Sequence, residues 1–394
     1  MFDEKLLLKD CNELQEYVKT LFRELHMCPE RGGFEFETNR IIRRELEKHS
    51  IDYLTPMDNL TIAVIRGDRE GHTVGLRCDT DALPVEEETG LPWASKNPGI
   101  MHACGHDGHT AIGVATAVLL KKYQAQLHGT VKVIFQSAEE IGKGAHEAIE
   151  SGLISDCEVF FAIHLWSPWE SGTLRVSPIV VSAAVDSFDI TITGKGGHGA
   201  TPHLCNDALL CAAELTTALQ SIVSRHVAPT EAAVLTVGTL HAGTAFNIVA
   251  GEAVLGGTIR TVDENTRLEV VKRMEDLAHG IAAGHGCTAK VTNIHKHDVV
   301  RNDEAPAKLA HQCALRVTDA SMVKPQQTMM LGDDFCEYRR IAPCVYVQVG
   351  IADEKKGTHY AHHNGHFKVD EDVLPVSVAW MTLFSLEAGE QGLV

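Results

Sequence analysis

The stretch around which this chain is organised reads Met101-His102-Ala103-Cys104-Gly105-His106-Asp107-Gly108-His109-Thr110. Tracts this rich in histidine and cysteine are typical of metal sites, although a buried cluster without a metal remains an alternative. Cys104 and His106 are two residues apart, so an extended backbone places both side chains on the same side. Gly105 between them allows the backbone to approach an ion closely. The apolar run at 111–120 predicts a helix directly after these residues.

Acidic and histidine side chains also follow three predicted strands elsewhere in the chain. The carboxyl ends of neighbouring strands in an open α/β sheet meet at one crevice, so these side chains are expected to lie close together. Each has an ordinary alternative, such as a capping turn, the first turn of a helix or a structural histidine. The side chains are Asp79 and Asp81 after 73–77, Glu139 and Glu140 after 130–136, and His164 after 159–163.

Glu139 and Glu140 are adjacent acids at the end of an apolar strand. Burying carboxylates without compensation is costly, which makes this pair unusual. Neighbouring side chains diverge, so one acid can bind a metal while the other stays free as a base.

Composition limits the classes of function. A chain of 394 residues predicts two domains, and a formal net charge of -18 disfavours nucleic acid and anionic membranes as partners. No apolar run approaches the length of a membrane span, and the N-terminus lacks the pattern of a signal peptide. The 11 cysteines are scattered without a C-x-x-C pair, which favours free thiols and a cytoplasmic location.

The middle of the chain predicts an inserted domain. Residues 184–297 have a β-α-β-β-α-β order, which is the pattern of a ferredoxin-like unit. The insertion divides the larger domain into residues 1–183 and 298–394. Its Gly-rich loop matches G-x-G-x-x-G, but Pro202 interrupts the helix that a dinucleotide site needs, so this interpretation is rejected. The loop instead exposes His198. At the start of the chain, residues 4–27 predict one amphipathic helix.

Several motifs occur together along the chain: Arg23-Glu24-Leu25-His26 with Pro29-Glu30, Asp79-Thr80-Asp81-Ala82-Leu83-Pro84, residues 101–109, 135–140 and 194–203, Gly257-Thr258-Ile259-Arg260, and His363-Asn364 with Phe367. In this combination they resemble the M20 metallopeptidase/amidohydrolase group over nearly the whole chain. The resemblance is closest to its aminoacylase, hippurate hydrolase and auxin-conjugate hydrolase branch.

The resemblance implies an α/β, di-metal aminopeptidase-like catalytic domain with an inserted ferredoxin-like α+β domain that serves as lid and dimerisation surface. It also implies a role for ten residues. Those roles are metal ligation for Cys104, His106, Glu140, His164 and His363, general base for Glu139, an acid near the ligands for Asp81, oxyanion stabilisation for His198, and substrate-carboxylate binding for Asn247 and Arg260.

Four residues depart from the family pattern. Cys78 stands at a usually small, apolar position, and Ser137 stands where proline is frequent. Asp333 replaces a usual glutamate, and Gly365 replaces a usual proline after His363-Asn364. The last two bear on local geometry near the site. The choice of His363 over His359, His362 and His366 rests on its spacing to Phe367.

The activity implied is metal-dependent hydrolysis of N-acyl-L-amino acids, with an acetyl or aromatic acyl group, to a carboxylic acid and a free amino acid. The ligand set suits two divalent ions, Zn, Co or Ni, and permits Mn. A homodimer or homotetramer is expected from the family. The alternatives are a dipeptidase or carboxypeptidase with the same metals, a non-catalytic metal-binding scaffold, and a thiol hydrolase that uses Cys104 and His106.

Overall fold

The computed structural model describes residues 3–393. The strands are β1 (Asp52–Met57), β2 (Leu60–Arg66), β3 (Arg69–Asp79), β4 (His128–Gln136), β5 (Val159–Glu170), β6 (Leu174–Arg175), β7 (Val180–Ser182), β8 (Ala184–Thr193), β9 (Gly197–His198), β10 (Ala233–Ala242), β11 (Ile248–Val249), β12 (Glu252–Thr261), β13 (Thr288–His297), β14 (Val300–Arg301), β15 (Val323–Lys324) and β16 (Cys344–Ala352). The α-helices are α1 (Glu4–Glu13), α2 (Gln15–His26), α3 (Phe36–Lys48), α4 (His106–Lys122), α5 (Gly144–Glu150), α6 (Ala208–Ser221), α7 (Glu264–Gly284), α8 (Glu304–Val317) and α9 (Leu374–Gln391). Short 3-10 segments cover Pro202–Leu204, Ala320–Met322, Asp334–Arg340 and Glu371–Val373, and a π-helical turn covers Ile222–His226.

One large sheet organises the first of two units. Its strand order is β1-β2-β4-β3-β5-β16-β6-β15. The central strands β4, β3, β5 and β16 pair in parallel, whereas β1 and β2 are antiparallel additions at one side. The carboxyl ends of the parallel strands therefore lie at the same edge of the sheet, as the sequence predicted for an α/β domain.

The parallel strands are buried because helices cover them. Continuous apolar runs such as those of β4 and β16 are typical of strands that are buried on both faces. Helices α4 and α9 pack on each other and on β3. Phe161 of β5 stacks on Phe384 of α9 with ring centroids 4.5 Å apart. This packing fixes the start of α4 beside the sheet edge.

The second unit has a four-stranded antiparallel sheet with strand order β10-β12-β8-β13. Along the chain its elements follow the predicted β-α-β-β-α-β order, with α6 and α7 as the two helices. Inward-facing residues of β8, namely Phe188, Ile190 and Ile192, form a core with apolar residues of both helices. The ferredoxin-like fold of this segment is thereby confirmed, whereas its role as a lid stays a prediction.

The boundaries of the units differ slightly from the predicted ones. The first unit comprises the described residues of Met1–Val181, Arg301–Gln327 and Asp333–Val394, and the second comprises Ser182–Val300 and Thr328–Gly332. The sequence assigned all of 298–394 to the larger domain. Residues 328–332 belong to the smaller unit because their backbone pairs with it: Ala183 N donates to Leu331 O (2.8 Å), and Ser182 forms a bridge with Met329.

Two helix and strand predictions were wrong in detail. The expected helix at 4–27 is interrupted at Leu14, since α1 packs against α8 and α9 whereas α2 packs mainly against α4. Strand β5 does not end before His164 but continues to Glu170, because β16 pairs with it through Gln348–His164 and beyond. Among residues 3–393, no helix combines the length and apolarity needed to cross a membrane.

Candidate metal centre and active site

The motif at 101–110 lies where α4 begins. Helix α4 starts at His106, so His106 belongs to its first turn and only Cys104 precedes it. Gly105, at the N-cap, has φ +95°, a left-handed conformation that glycine adopts without steric cost. The sequence expected both ligand candidates ahead of the helix. The structure instead divides them between the loop and the helix.

His106 and His164 each have one ring nitrogen fixed by a backbone carbonyl. His106 Nδ1 lies 2.9 Å from Asp81 O, and His164 Nδ1 lies 2.9 Å from Leu165 O. Because a carbonyl can only accept, both Nδ1 atoms carry a proton, so in the neutral imidazole the lone pair of each ring lies on Nε2. The Nε2 atom of His164 lies 3.7 Å from Cys104 Sγ. This arrangement presents two imidazoles to a metal in the orientation that ligands require.

Glu140 and His363 complete the cluster. His363 Nε2 lies 3.4 Å and His106 Nε2 lies 4.0 Å from Glu140 Oε1. In the described part of the chain, the buried His106 Nε2 and Glu140 Oε1 have no hydrogen-bond partner. An unsatisfied buried polar atom costs free energy, so two that face each other fit a bound cation.

The five expected ligands occur in overlapping groups whose donor atoms all lie within 4.8 Å of one another. Those groups are Cys104 with His106 and His164, Cys104 with Glu140 and His363, and His106 with Glu139 and Glu140. Cys104, His106 and Glu140 each belong to two groups, so the donor set can serve two neighbouring ions. Thiolate, imidazole and carboxylate together match the chemistry of borderline divalent metals.

The loop at 357–366 offers four histidines, and the structure separates their roles. Backbone N–H of His363 donates to Ala103 O (2.8 Å), which ties this residue to the motif. The other three have different contacts: His362 lies 3.0 Å from both Leu165 O and Ser167 Oγ, His366 Nδ1 lies 3.0 Å from Glu88 O, and His359 stacks on Tyr360. These contacts favour His363 as the ligand of this loop.

Gly365, which stands in place of the usual proline, is required by the local path of the loop. A Cβ at this position would lie 2.5 Å from Glu86 O. Its carbonyl accepts a hydrogen bond from Glu88 N (2.7 Å). Glycine at this position therefore allows the loop to lie close to the backbone of Glu86 and Glu88, and His363 still contacts Glu140.

Asp81 contacts two of the expected ligands. Its Oδ2 accepts from the backbone N–H of Glu140 (3.0 Å), and its Oδ1 lies 3.2 Å from His106 Nδ1. Imidazoles that bind a metal usually donate their other ring N–H to a carboxylate or a carbonyl, which orients the ring. The geometry supports this role for Asp81, which stays a prediction.

Glu139 lies beside Glu140 but belongs to a more acidic environment. Burial, and then the charges of Asp333, Glu140 and Asp334, raise the pKa of Glu139 well above its ordinary value, whereas Arg77 opposes them. A carboxyl group with a raised pKa can accept and hold a proton at neutral pH. Bound cations nearby would act in the opposite direction and favour the ionised base.

Sequence reasoning missed the buried Arg77 that supports this region. Its guanidinium donates to Asp79 (2.5 Å), Asp333 (3.0 Å) and Asp334 (3.0 Å). Asp333, the departure from glutamate, also accepts from Phe335 N (2.8 Å), so the shorter side chain binds both Arg77 and the backbone. A lone arginine inside an apolar strand, two residues before Asp79, was the available signal.

His109 belongs to the motif but is fully engaged by other residues. Its Nδ1 lies 2.5 Å from Asp79 Oδ1, and its Nε2 accepts from Leu165 N (2.8 Å). With both ring nitrogens used, His109 has no lone pair for a metal. We conclude that its role is structural.

The remaining expected residues lie in the smaller unit. His198 ends β9 and pairs with Ile248 of β11, and Asn247 directly precedes that strand, where its carbonyl accepts from Gly199 N (2.8 Å). Ala200 N donates to His198 Nδ1 (3.0 Å), so neutral His198 presents a protonated Nε2. Arg260 is half-buried on β12, and burial lowers its pKa. That these three residues contact the cluster of Cys104, His106, Glu140, His164 and His363 stays a prediction.

Comparison with known proteins gives three kinds of relative. The family described as peptidase family M20/M25/M40 matches residues 75–387. The chain is 38% identical to N-acetylcysteine deacetylase of Bacillus subtilis over 357 residues, covering 90% of this chain and 92% of that protein. It is 33% identical to thermostable carboxypeptidase 1 of Saccharolobus solfataricus over 385 residues, covering 97% and 98%. The solved structure of B. subtilis YXEP, a dinuclear metal-binding peptidase, is similar with a TM-score of 0.85 and 33% identity over 96% and 99% of the chains.

Proposed function

The chain belongs to peptidase family M20/M25/M40, and from that premise we propose that it is a metal-dependent amidohydrolase of N-acyl-L-amino acids. The observation that carries the proposal is the cluster of five donor residues with a further, half-buried acid, Glu139, beside it. The similarity to an N-acetylcysteine deacetylase supports this substrate class. The products are a carboxylic acid and a free amino acid.

The proposed cofactor is a pair of divalent ions, Zn, Mn, Co or Ni. The donor groups overlap as two neighbouring ions require, and the similar YXEP protein is described as dinuclear. Cys104, His106, Glu140, His164 and His363 would hold these ions, which would supply Lewis-acid chemistry at the amide carbonyl and lower the pKa of water.

The chain's own residues then perform the proton transfers. Glu139 accepts a proton from the water that attacks the carbonyl carbon and returns it to the departing amine nitrogen. The C–O bond to water forms first, and the C–N bond breaks when the amine nitrogen receives the proton from Glu139, so no other reactant is needed. The protonated Nε2 of His198 donates to the oxygen that becomes negative in the transition state.

Arg260 and Asn247 are proposed to hold the substrate carboxylate. Arg260 donates from Nη1 to Met330 O (3.0 Å), and no carboxylate of residues 3–393 pairs with it. A desolvated guanidinium with spare donors suits a bidentate contact with an α-carboxylate. The substrate is therefore expected to need a free carboxylate.

Replacing Arg260 with alanine tests this contact. Hydrogen bonds to charged groups contribute about 1.5–3 kcal/mol, so Arg260→Ala should raise KM roughly 10- to 100-fold and change kcat little. Steady-state kinetics on an N-acetyl amino acid and on its carboxamide measure the effect. Arg273→Ala, an exposed arginine on α7 that pairs with Glu269, is the matched control. An equal loss on both substrates would contradict the assignment.

The substrate class is tested with matched pairs of compounds. We expect hydrolysis of N-acetyl and N-benzoyl amino acids, with kcat/KM higher than for a dipeptide that carries a free amine. The second candidate, a dipeptidase or carboxypeptidase, is favoured by the similarity to carboxypeptidase 1 of S. solfataricus. A requirement for a free substrate amine would support a dipeptidase, and preference for long N-blocked peptides would support a carboxypeptidase.

We further propose a homodimer or homotetramer that is located in the cytoplasm. Exposed apolar residues of the smaller unit, Leu204, Leu210 and Phe246, support association, and sedimentation equilibrium measures it. No disulfide joins any of the 11 cysteines, all of which lie within residues 3–393, and this supports a reducing compartment. Fractionation of cells with an antibody to the chain tests that location.

A further inference from the structure

The turn that carries Glu139 and Glu140 begins with a left-handed residue. Ala138 has φ +55°, a conformation that a residue with a Cβ rarely adopts. Residues held in this region persist only where their surroundings impose it, and such residues concentrate at functional sites. The turn therefore needs an external group that holds Ala138 in place.

That group is the carboxylate of Glu35. Its Oε1 accepts a hydrogen bond from Ala138 N (2.7 Å) and another from Gly33 N (3.0 Å), and Asn59 Nδ2 donates to its Oε2 (3.3 Å). The Glu35 side chain is fully buried, and no cation of residues 3–393 pairs with it. A buried carboxylate without a cation is costly, so the backbone contacts must compensate for it.

The rest of the turn is closed around this anchor. Ala138 O accepts from Lys143 N (3.1 Å) and Gly144 N (3.3 Å), so residues 138–144 form a compact loop. A second carboxylate outside the loop, Asp81, accepts from Glu140 N (3.0 Å). Glu35 and Asp81 thus bind the backbone on the two sides of Glu139.

Gly32 leaves little room for an alternative path. A Cβ at Gly32 would lie 3.3 Å from Ala138 Cα and 3.0 Å from Asp81 Oδ2. The segment that contains Glu35 therefore packs directly against the turn, which cannot move toward it.

We propose that Glu35 is a positioning residue, which holds the left-handed turn at Ala138 and so directs Glu139 and Glu140 into the site. The proposal rests on the proposed function, because the roles of Glu139 and Glu140 come from it. Within residues 3–393, the Glu35 side chain accepts hydrogen bonds from Gly33 N, Asn59 Nδ2 and Ala138 N, and none of these atoms belongs to the five donor residues. Its effect is transmitted through a single backbone hydrogen bond to Ala138 N.

The test compares three variants with wild type: Glu35→Ala, Ala138→Gly and the double variant that carries both substitutions. Outer-shell substitutions typically weaken metal binding by about 10- to 100-fold, and a small misplacement of a catalytic group can lower the rate roughly 100-fold. We expect Glu35→Ala to show both effects, with KM nearly unchanged. Glycine adopts positive φ without steric cost, so the double variant should regain much of the loss. Competition with a chromophoric chelator measures metal affinity, and steady-state kinetics gives kcat and KM.

Two further variants separate positioning from stability. Glu35→Gln keeps the volume and one acceptor oxygen, so its metal affinity and kcat should lie between those of wild type and Glu35→Ala. If Glu35→Ala does not fold, Glu35→Gln alone should still show a lower metal affinity and kcat than wild type. Glu37→Ala, an exposed acid of α3 that pairs with Arg40, is the matched control and should behave as wild type. The thermal midpoint of each variant records stability independently.

Each outcome bears on the proposal. The positioning role would be overturned if Glu35→Ala had a lower thermal midpoint but unchanged metal affinity and kcat. It would also be overturned if the double variant had the same metal affinity and kcat as Glu35→Ala. If the wild-type enzyme has no amidase activity, the proposed function is wrong. The difference in metal affinity between wild type and Glu35→Ala would still show whether Glu35 positions Glu140.

Discussion

Glu139→Gln is expected to lower kcat by roughly 100- to 10,000-fold, the range that general acid–base catalysis contributes. Glutamine has nearly the same shape but cannot accept a proton from water or return one to the amine. The metals should remain bound, since Glu140 and the other four donors are unchanged. Rates on an N-acetyl amino acid and metal content by elemental analysis measure the two effects together.

The control for this prediction is Glu150→Gln, an exposed acid at the end of α5. It changes the same chemical group on the next helix and should leave both rate and metal content unchanged. If Glu139→Gln retained a near-normal kcat, another group would have to be the base. If it lost metal as well as rate, Glu139 would act as a ligand, which its membership of the group with His106 and Glu140 permits.

Removal of the metals is expected to reduce hydrolysis to background, and addition of Zn, Co, Ni or Mn should restore it. Cys104→Ala should bind metal more weakly and lose activity in proportion, since Cys104 belongs to both of the groups that contain His164 and His363. Elemental analysis before and after dialysis against a chelator, with rates measured alongside, tests the prediction. Cys28→Ser, a partly exposed cysteine outside these groups, is the control.

The same experiment distinguishes metal catalysis from a thiol nucleophile. Burial, and then the charge of Glu140, raise the pKa of the Cys104 thiol well above its ordinary value. A thiol in this state is a poor nucleophile, whereas a metal would stabilise the thiolate as a ligand. Activity that survives chelation but not alkylation would contradict the metal mechanism and support the thiol alternative.

Much of the fold could be predicted because the signals are local. The β-branched run of β4 and the alternation of β8 identify strands without knowledge of their partners. Prediction failed where pairing with a segment distant in sequence determines an element. Strand β5 extends past His164 because β16 pairs with it. Residues 328–332 belong to the smaller unit because their backbone pairs with it. Strand β1, which pairs with β2 at the side of the sheet, was not predicted at all.

The amino-acid sequence specifies which chemical groups are available: a cysteine, several histidines and paired acids at strand ends, all of types that bind divalent metals. How each group is used depends on its contacts in the folded chain. His109 is excluded as a ligand because Asp79 and Leu165 N occupy both of its nitrogens, and His106 presents Nε2 because Asp81 O holds Nδ1. The type of each side chain is read directly from its position in the sequence. Whether a histidine nitrogen has a lone pair available for a metal depends on contacts with groups that are distant in sequence.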